Sequence, residues 1–128
     1  MSDTELMEAA RDVSKHAYCE YSNFPVGAAL LTDDGRLFAG CNVENASYGL
    51  SICAERATVF AAVAAGGRRI HRMAVSCTKG DPARPATLMP CGACRQVLAE
   101  FATPDFVILV DGVGPLSMPD ILPDPFQP

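Results

Sequence analysis

The chain has no apolar run approaching the roughly 20 residues needed to cross a bilayer, so no membrane-spanning helix is expected. It has only two histidines, His16 and His71, and neither sits in a ligand-like spacing, so a histidine-based metal site is not expected. It lacks positive charge: 10 Lys and Arg stand against 15 Asp and Glu, a net charge of −5. Surfaces that bind nucleic acid are usually basic, so no nucleic-acid partner is expected. The one basic cluster, Arg68-Arg69-Ile70-His71-Arg72, reads as a solvated loop leading into a strand. Internal repeats, low-complexity tracts and interdomain linkers are also missing, and the length suits one domain over residues 1–128. The opening, MSDTELMEAARD, is acidic and has no apolar stretch, so it does not read as a secretory leader. The expected location is the cytoplasm, where six cysteines stay thiols rather than disulfides.

What is present is a chain that is 49% hydrophobic, enough to build a core without staples. Leu6, Ala10, Val13 and Ala17 recur at helical spacing, which predicts an amphipathic helix over residues 4–18. Two apolar runs, Val26–Leu31 and Leu37–Val43, flank Asp34-Gly35, a hairpin signal. Residues 53–65 are alanine-rich and stop at Gly66-Gly67, as a helix does. Met73–Cys77 and Phe106–Val110 read as strands. Pro82–Pro90 reads as a loop, with Pro90 at the first position of a further helix whose apolar face is Cys94, Val97, Leu98 and Phe101. The tail from Pro115 holds five prolines and one helical turn near Asp120. Alternating strands and helices predict an α/β layered sheet, made mixed by the early hairpin.

The chemistry is concentrated in two short stretches, Cys53-Ala54-Glu55 and Pro90-Cys91-Gly92-Ala93-Cys94. Cys91 and Cys94 are three apart in a helix's first turn, so their sulfurs share a face. Cys53 is expected to open a helix too, with Ser51 or a neighbour as its cap. Helix N-termini favour thiolates, and three thiolates make a plausible zinc site. Structural zinc sites usually have four protein ligands, whereas three leave the open position of a catalytic site. Glu55, two residues after a ligand, could take a proton from water there and return it to a substrate nitrogen. Three thiolates outweigh the charge of zinc, so Arg56 is expected to turn back and hydrogen-bond the sulfurs. Cys19, Cys41 and Cys77 read as small buried hydrophobes. Asn42 and Glu44 sit two apart at a strand end, so both face one way, although an Asn-x-Glu read by itself is a polar turn.

Four longer strings, YSNFPVGAAL at 21–30, GCNVENASYGLSICAER at 40–56, PCGACRQVLAEF at 90–101 and ILPDPF at 121–126, resemble the small zinc-dependent cytidine deaminases of pyrimidine salvage. The resemblance runs from about Ala17 to Phe126. It implies a three-layer α/β/α fold around a five-stranded mixed sheet, assembled as a homotetramer with shared active sites. It implies hydrolytic deamination of cytidine and 2′-deoxycytidine with release of ammonia, and one Zn²⁺ per subunit. Cys53, Cys91 and Cys94 would hold the zinc, and Glu55 would shuttle protons. Asn42 and Glu44 would bind the ribose hydroxyls, Phe24 would pack on the pyrimidine, and the backbone at Ala54 would read the base edge. Tyr48 and Asn45 would line or support the pocket, partly across subunits, with Arg56 and Gln96 behind the ligands. Phe126 would reach into a neighbouring subunit's site, although an apolar tail residue read by itself folds back on its own chain.

Two departures from the family pattern stand out: Glu20 where proline often precedes Tyr21, and ERATVF where ERTA is common. Neither touches a motif position. The alternatives are a deaminase of a cytosine nucleoside antibiotic such as blasticidin S or of a modified cytidine, a nucleic-acid editing deaminase, and a zinc-stabilised binding module. The intact NVEN string, the acidic balance and the three-ligand set oppose them in turn.

Overall fold

The computed structural model describes residues 1–128. The first helix, α1, runs Asp3–Ser14. Ser2 caps it reciprocally: Ser2 Oγ accepts from the Glu5 N–H at 3.1 Å, and Glu5 Oε1 accepts from the Ser2 N–H at 3.1 Å. Its buried stripe is Leu6, Ala10 and Ser14, a strict i, i+4, i+8 series. The helix ends four residues short of the predicted Tyr18. The Ser14 hydroxyl donates to the Arg11 carbonyl at 2.6 Å, and the next three N–H groups bond back three residues instead of four. Tyr18 then leaves to pair with the Asn42 carbonyl at 3.0 Å.

Strands β1 (Gly27–Thr32) and β2 (Leu37–Cys41) form the expected hairpin, with Gly35 in the left-handed region at φ 84°. Helix α2 (Ala54–Ala64) follows, then β3 (Ile70–Ser76), α3 (Gly92–Phe101), β4 (Ala102–Val110), β5 (Gly114–Ser117) and the short turn α4 (Met118–Ile121). The sheet has five strands in the order β2-β1-β3-β4-β5. Only β3 and β4 run parallel, and the other three pairings are antiparallel. The sheet is therefore mixed, with α3 as the crossover between its parallel strands.

Two apolar clusters show the three layers. Ala29, Ala74 and Leu109 point to one face and pack with Leu6 and Ala10 of α1. Ala28, Leu30, Met73, Val75, Ile108 and Val110 point to the other, against Val59 and Ala62 of α2 and Leu98 of α3. The alternation is the two-residue period of a strand buried on both faces. Gly27 sets how closely α1 lies on the sheet: a methyl there would stand 1.9 Å from the Ala10 carbonyl oxygen. Gly40 does the same for α2, since its methyl would stand 2.6 Å from Thr58 Oγ1.

Two strand predictions need correction. β4 starts at Ala102, four residues before Phe106, because the chain turns from α3 directly into the ladder. The polar Thr103-Pro104-Asp105 stretch coincides with a register shift between Ile70 and Arg72 of β3. β5 lies in what reads as proline-rich tail, and Pro115 is tolerated there because β5 is an edge strand.

Candidate metal centre and substrate cleft

Cys53 and Cys91 are the N-cap residues of α2 and α3, with extended backbones at φ −70°, ψ 155° and φ −69°, ψ 167°. This corrects two expectations. Ser51 is not the cap of α2; its Oγ accepts from the Asn45 N–H at 3.1 Å. Pro90 is not the first residue of α3 but precedes its cap, and its carbonyl accepts from Arg95 Nε at 2.8 Å. Neither cap sulfur accepts a backbone N–H from its own helix, so both are free to face each other. Cys94 is the third residue of α3, on the turn above Cys91.

The Cys53 and Cys91 sulfurs are 3.7 Å apart, those of Cys91 and Cys94 3.5 Å, and all three lie within 4.8 Å of one another. Tetrahedral zinc with Zn–S bonds of about 2.3 Å spaces its thiolates about 3.8 Å apart, so the triangle fits the ion. All six cysteines are unpaired, and His16 and His71 take no part in the cluster. Arg56 turns back as expected: its Nη2 donates to Cys53 Sγ at 3.5 Å. Its Nε is buried without a partner, a positive group held against the sulfurs. The Cys53 thiol drops to about 5, first because the Cys94 thiol donates to it and then because of Arg56. Cys94, the other half of that bond, is held as the thiol.

Glu55 sits in the first turn of α2, 4% exposed, and burial pushes its carboxyl up to about 7. Cys77, the residue after β3, is raised to about 12 by burial. Both line a cleft of about 360 Å³, within the range of small-molecule sites. Phe24, Val26, Asn42 and Glu44 from the first hairpin and its flanks line it together with Cys53 and Ala54 at the start of α2 and Cys91 at the start of α3. Sequence reasoning did not single out Ser22, Ile52, Val75, Thr87 or Met89, which also line it. The one available signal was position, since Thr87 and Met89 lie in the loop that delivers Cys91.

Asn42 is 8% exposed, and its amide is committed at both ends. Its Oδ1 accepts from the Val26 N–H at 2.9 Å and its Nδ2 donates to the Phe24 carbonyl at 2.9 Å. Glu44 Oε1 accepts from the Tyr21 and Ser22 N–H groups at 3.1 and 3.0 Å, and Oε2 accepts from the Ser22 hydroxyl. The Ser22 hydroxyl is the main reason the Glu44 carboxyl is held below its usual range.

Besides Cys94 and Arg56, which belong to the sulfur cluster without lining the cleft, four sequence-predicted residues are not brought into it. Tyr48 is 75% exposed on its rim, edge-on to Tyr21 at 6.0 Å. Asn45 Oδ1 accepts from the Ser47 N–H at 2.9 Å, a local turn. Gln96 is on α3, away from the sulfurs, and holds the tail at 3.2 Å: Nε2 donates to the Phe126 carbonyl, and Oε1 accepts from its N–H. The Phe126 ring is left 76% exposed.

Comparison with known proteins agrees with this geometry. The profile of the cytidine and deoxycytidylate deaminase zinc-binding region matches residues 1–110. A cytidine deaminase of Mycobacterium tuberculosis is 48% identical over 118 residues, covering 91% of this chain and 84% of that protein. A cytidine deaminase of Halalkalibacterium halodurans is 42% identical over 125 residues, covering 94% and 91%. The crystal structure of a cytidine deaminase from Burkholderia pseudomallei superposes with a TM-score of 0.87 at 47% identity, covering 98% of this chain and all of that one (100%).

Proposed function

Because the chain belongs to the zinc-binding cytidine and deoxycytidylate deaminase family, we propose that it hydrolyses cytidine and 2′-deoxycytidine to uridine and 2′-deoxyuridine with release of ammonia. The observation that carries the reading is the open triangle of Cys53, Cys91 and Cys94 beside the buried Glu55, with Cys53, Glu55 and Cys91 lining a nucleoside-sized cleft. Zinc bound there supplies Lewis acidity, which makes a water acidic enough to serve as the nucleophile near neutral pH.

Glu55 does the proton work. Its carboxylate takes a proton from the attacking water and delivers it to N3 of the ring as the C4–O bond forms. It then carries the second proton to the exocyclic nitrogen, so the C4–N bond breaks with ammonia as leaving group. A carboxyl whose pKa stands near 7 suits both directions of transfer. The backbone of Ala54, the cleft residue between ligand and acid, is the group that would read the base edge. Phe24 would pack on the ring and exclude water, while Glu44 would accept from a sugar hydroxyl and the second Nδ2 hydrogen of Asn42, the one that Phe24 does not use, would donate to one. Arg56 would offset the surplus charge of three thiolates.

The reading extends to a homotetramer with one Zn²⁺ per subunit and shared sites. The exposed apolar side chains of Tyr48, Leu50, Phe60 and Phe126 support burial against further copies. A cytoplasmic location is supported by six unpaired cysteines, and no helix is long and apolar enough to cross a membrane. The test is ammonia release and the cytosine-to-uracil ultraviolet change on cytidine, for the parent and for Glu55→Gln. The variant should keep zinc and lose about 10²–10⁴-fold or more in turnover. A variant with a tenth of the parent rate would remove Glu55 from the chemistry.

A further inference from the structure

We propose that Ser22 is a positioning residue for nucleoside recognition, its hydroxyl fixing the Glu44 carboxylate in the cleft and tying it to the backbone of Phe24. The proposal rests on the reading of Glu44 as the acceptor of a sugar hydroxyl. A carboxylate offers about four lone-pair sites. In Glu44 three are taken: Tyr21 and Ser22 N–H groups occupy Oε1, and the Ser22 hydroxyl occupies one site on Oε2. One acceptor site remains, on the oxygen whose direction the Ser22 hydroxyl sets.

The hydroxyl has only one way to point. The Phe24 N–H donates to Ser22 Oγ at 3.1 Å, and an N–H can only donate, so the Ser22 proton goes to Glu44. Asn23 between them takes the left-handed conformation at φ 55°, and its N–H closes the turn on the Cys19 carbonyl at 2.8 Å. Asn42 holds the far side of the same loop at Phe24 and Val26. The residue expected to meet the sugar and the residue expected to meet the base are therefore linked through one hydroxyl. Ser22 is exposed and takes no part in either apolar core, so it has no packing role that would explain its contacts.

The experiment is steady-state kinetics of the zinc-loaded full chain on cytidine and on 2′,3′-dideoxycytidine, which lacks both ring hydroxyls. Ser22→Ala should raise the cytidine KM about tenfold, as loss of a bond to a charged group implies, with kcat little changed. Turnover of dideoxycytidine should change far less, and Ser22→Thr should restore cytidine. Because Ser22 acts through Glu44, the Ser22→Ala/Glu44→Gln double variant should lose no more than Glu44→Gln alone. Additive losses, equal losses on the two substrates, an effect confined to kcat, or loss of zinc or folding in Ser22→Ala would each overturn the assignment. A parent that releases no ammonia from cytidine sinks the functional reading and this proposal with it. An active parent with additive losses sinks only the proposal.

Discussion

Asn42→Ala should damage the protein's stability as well as its affinity for nucleoside. A residue that only meets substrate can be truncated without cost to the fold, but Asn42 is 8% exposed and bridges the Val26 N–H and the Phe24 carbonyl, each at 2.9 Å. Two such bonds contribute about 1 kcal/mol each, so truncation should cost about 2 kcal/mol. At roughly 4 °C per kcal/mol for a chain of this size, the midpoint of thermal unfolding should fall by about 8 °C. Asn42→Asp should be no better, because it keeps the acceptor for Val26 but sets a carboxylate oxygen against the Phe24 carbonyl. The assay is thermal unfolding of zinc-loaded parent and variants at one protein concentration, since assembly shifts the apparent midpoint. A variant that melts with the parent while its cytidine KM rises would show that Asn42 is a substrate contact and not a clamp.

Cys91→Ala should lose zinc and activity together, because two protein ligands hold the ion poorly; metal analysis giving a full equivalent would refute the ligand set. Gly27→Ala should destabilise the chain by several kcal/mol, since its methyl would stand 1.9 Å from the Ala10 carbonyl oxygen and 2.9 Å from Ser14 Cβ, so that α1 must lift from the sheet; unfolding in denaturant at a midpoint equal to the parent's would contradict the packing. Truncation after Pro123 should leave a folded, zinc-loaded protein with weakened cytidine affinity. Mixing it with Glu55→Gln subunits should regain activity, as the second protein donates Phe126 to a site that still has its glutamate. Re-formed mixed oligomers with no gain would rule out a shared site.

The metal half of the site was legible because its geometry is local. A C-x-E at one predicted helix start and a P-C-x-x-C at another are enough to infer thiolates converging on an acid. What failed there was a two-residue shift: serine and proline are the familiar start signals, yet both helices begin with a cysteine cap, two residues after Ser51 in α2 and with Gly92 rather than Pro90 as the first residue of α3. The sheet was legible where apolar runs were long. β5 was not, since Gly114-Pro115 disguises an edge strand, and the fifth strand came from the family resemblance alone. The grip of Glu44 on residues 21–22 and of Asn42 on Phe24 and Val26 spans 16 to 23 positions in sequence. No periodicity reports such contacts. The ERATVF departure also has a structural outcome: Thr58 is fully buried, its hydroxyl returns to the Ala54 carbonyl at 2.7 Å, and Gly40 leaves the room for it.

The site divides into two parts with separate supports. The sulfurs stand on the N-termini of α2 and α3, and both helices bury their apolar faces against the same side of the sheet. The sulfur triangle is thus held by a core that residues 21–25 do not join, Val26 alone of the 21–26 loop packing against it. The rest of the loop is tied mainly by two polar side chains, Asn42 and Glu44, and their few hydrogen bonds. Burial of apolar surface is cooperative and stiff, whereas a loop tied by single hydrogen bonds opens at a cost of a few kcal/mol. The arrangement should make changes in the loop selective. Substitutions at Ser22, Asn42 or Glu44 should alter KM and leave zinc content at the parent's value, while substitutions at Cys53, Cys91 or Cys94 should abolish both. A loop variant that releases zinc in step with its loss of cytidine binding would mean that the two halves share one support, and that the loop is part of the scaffold of the metal centre.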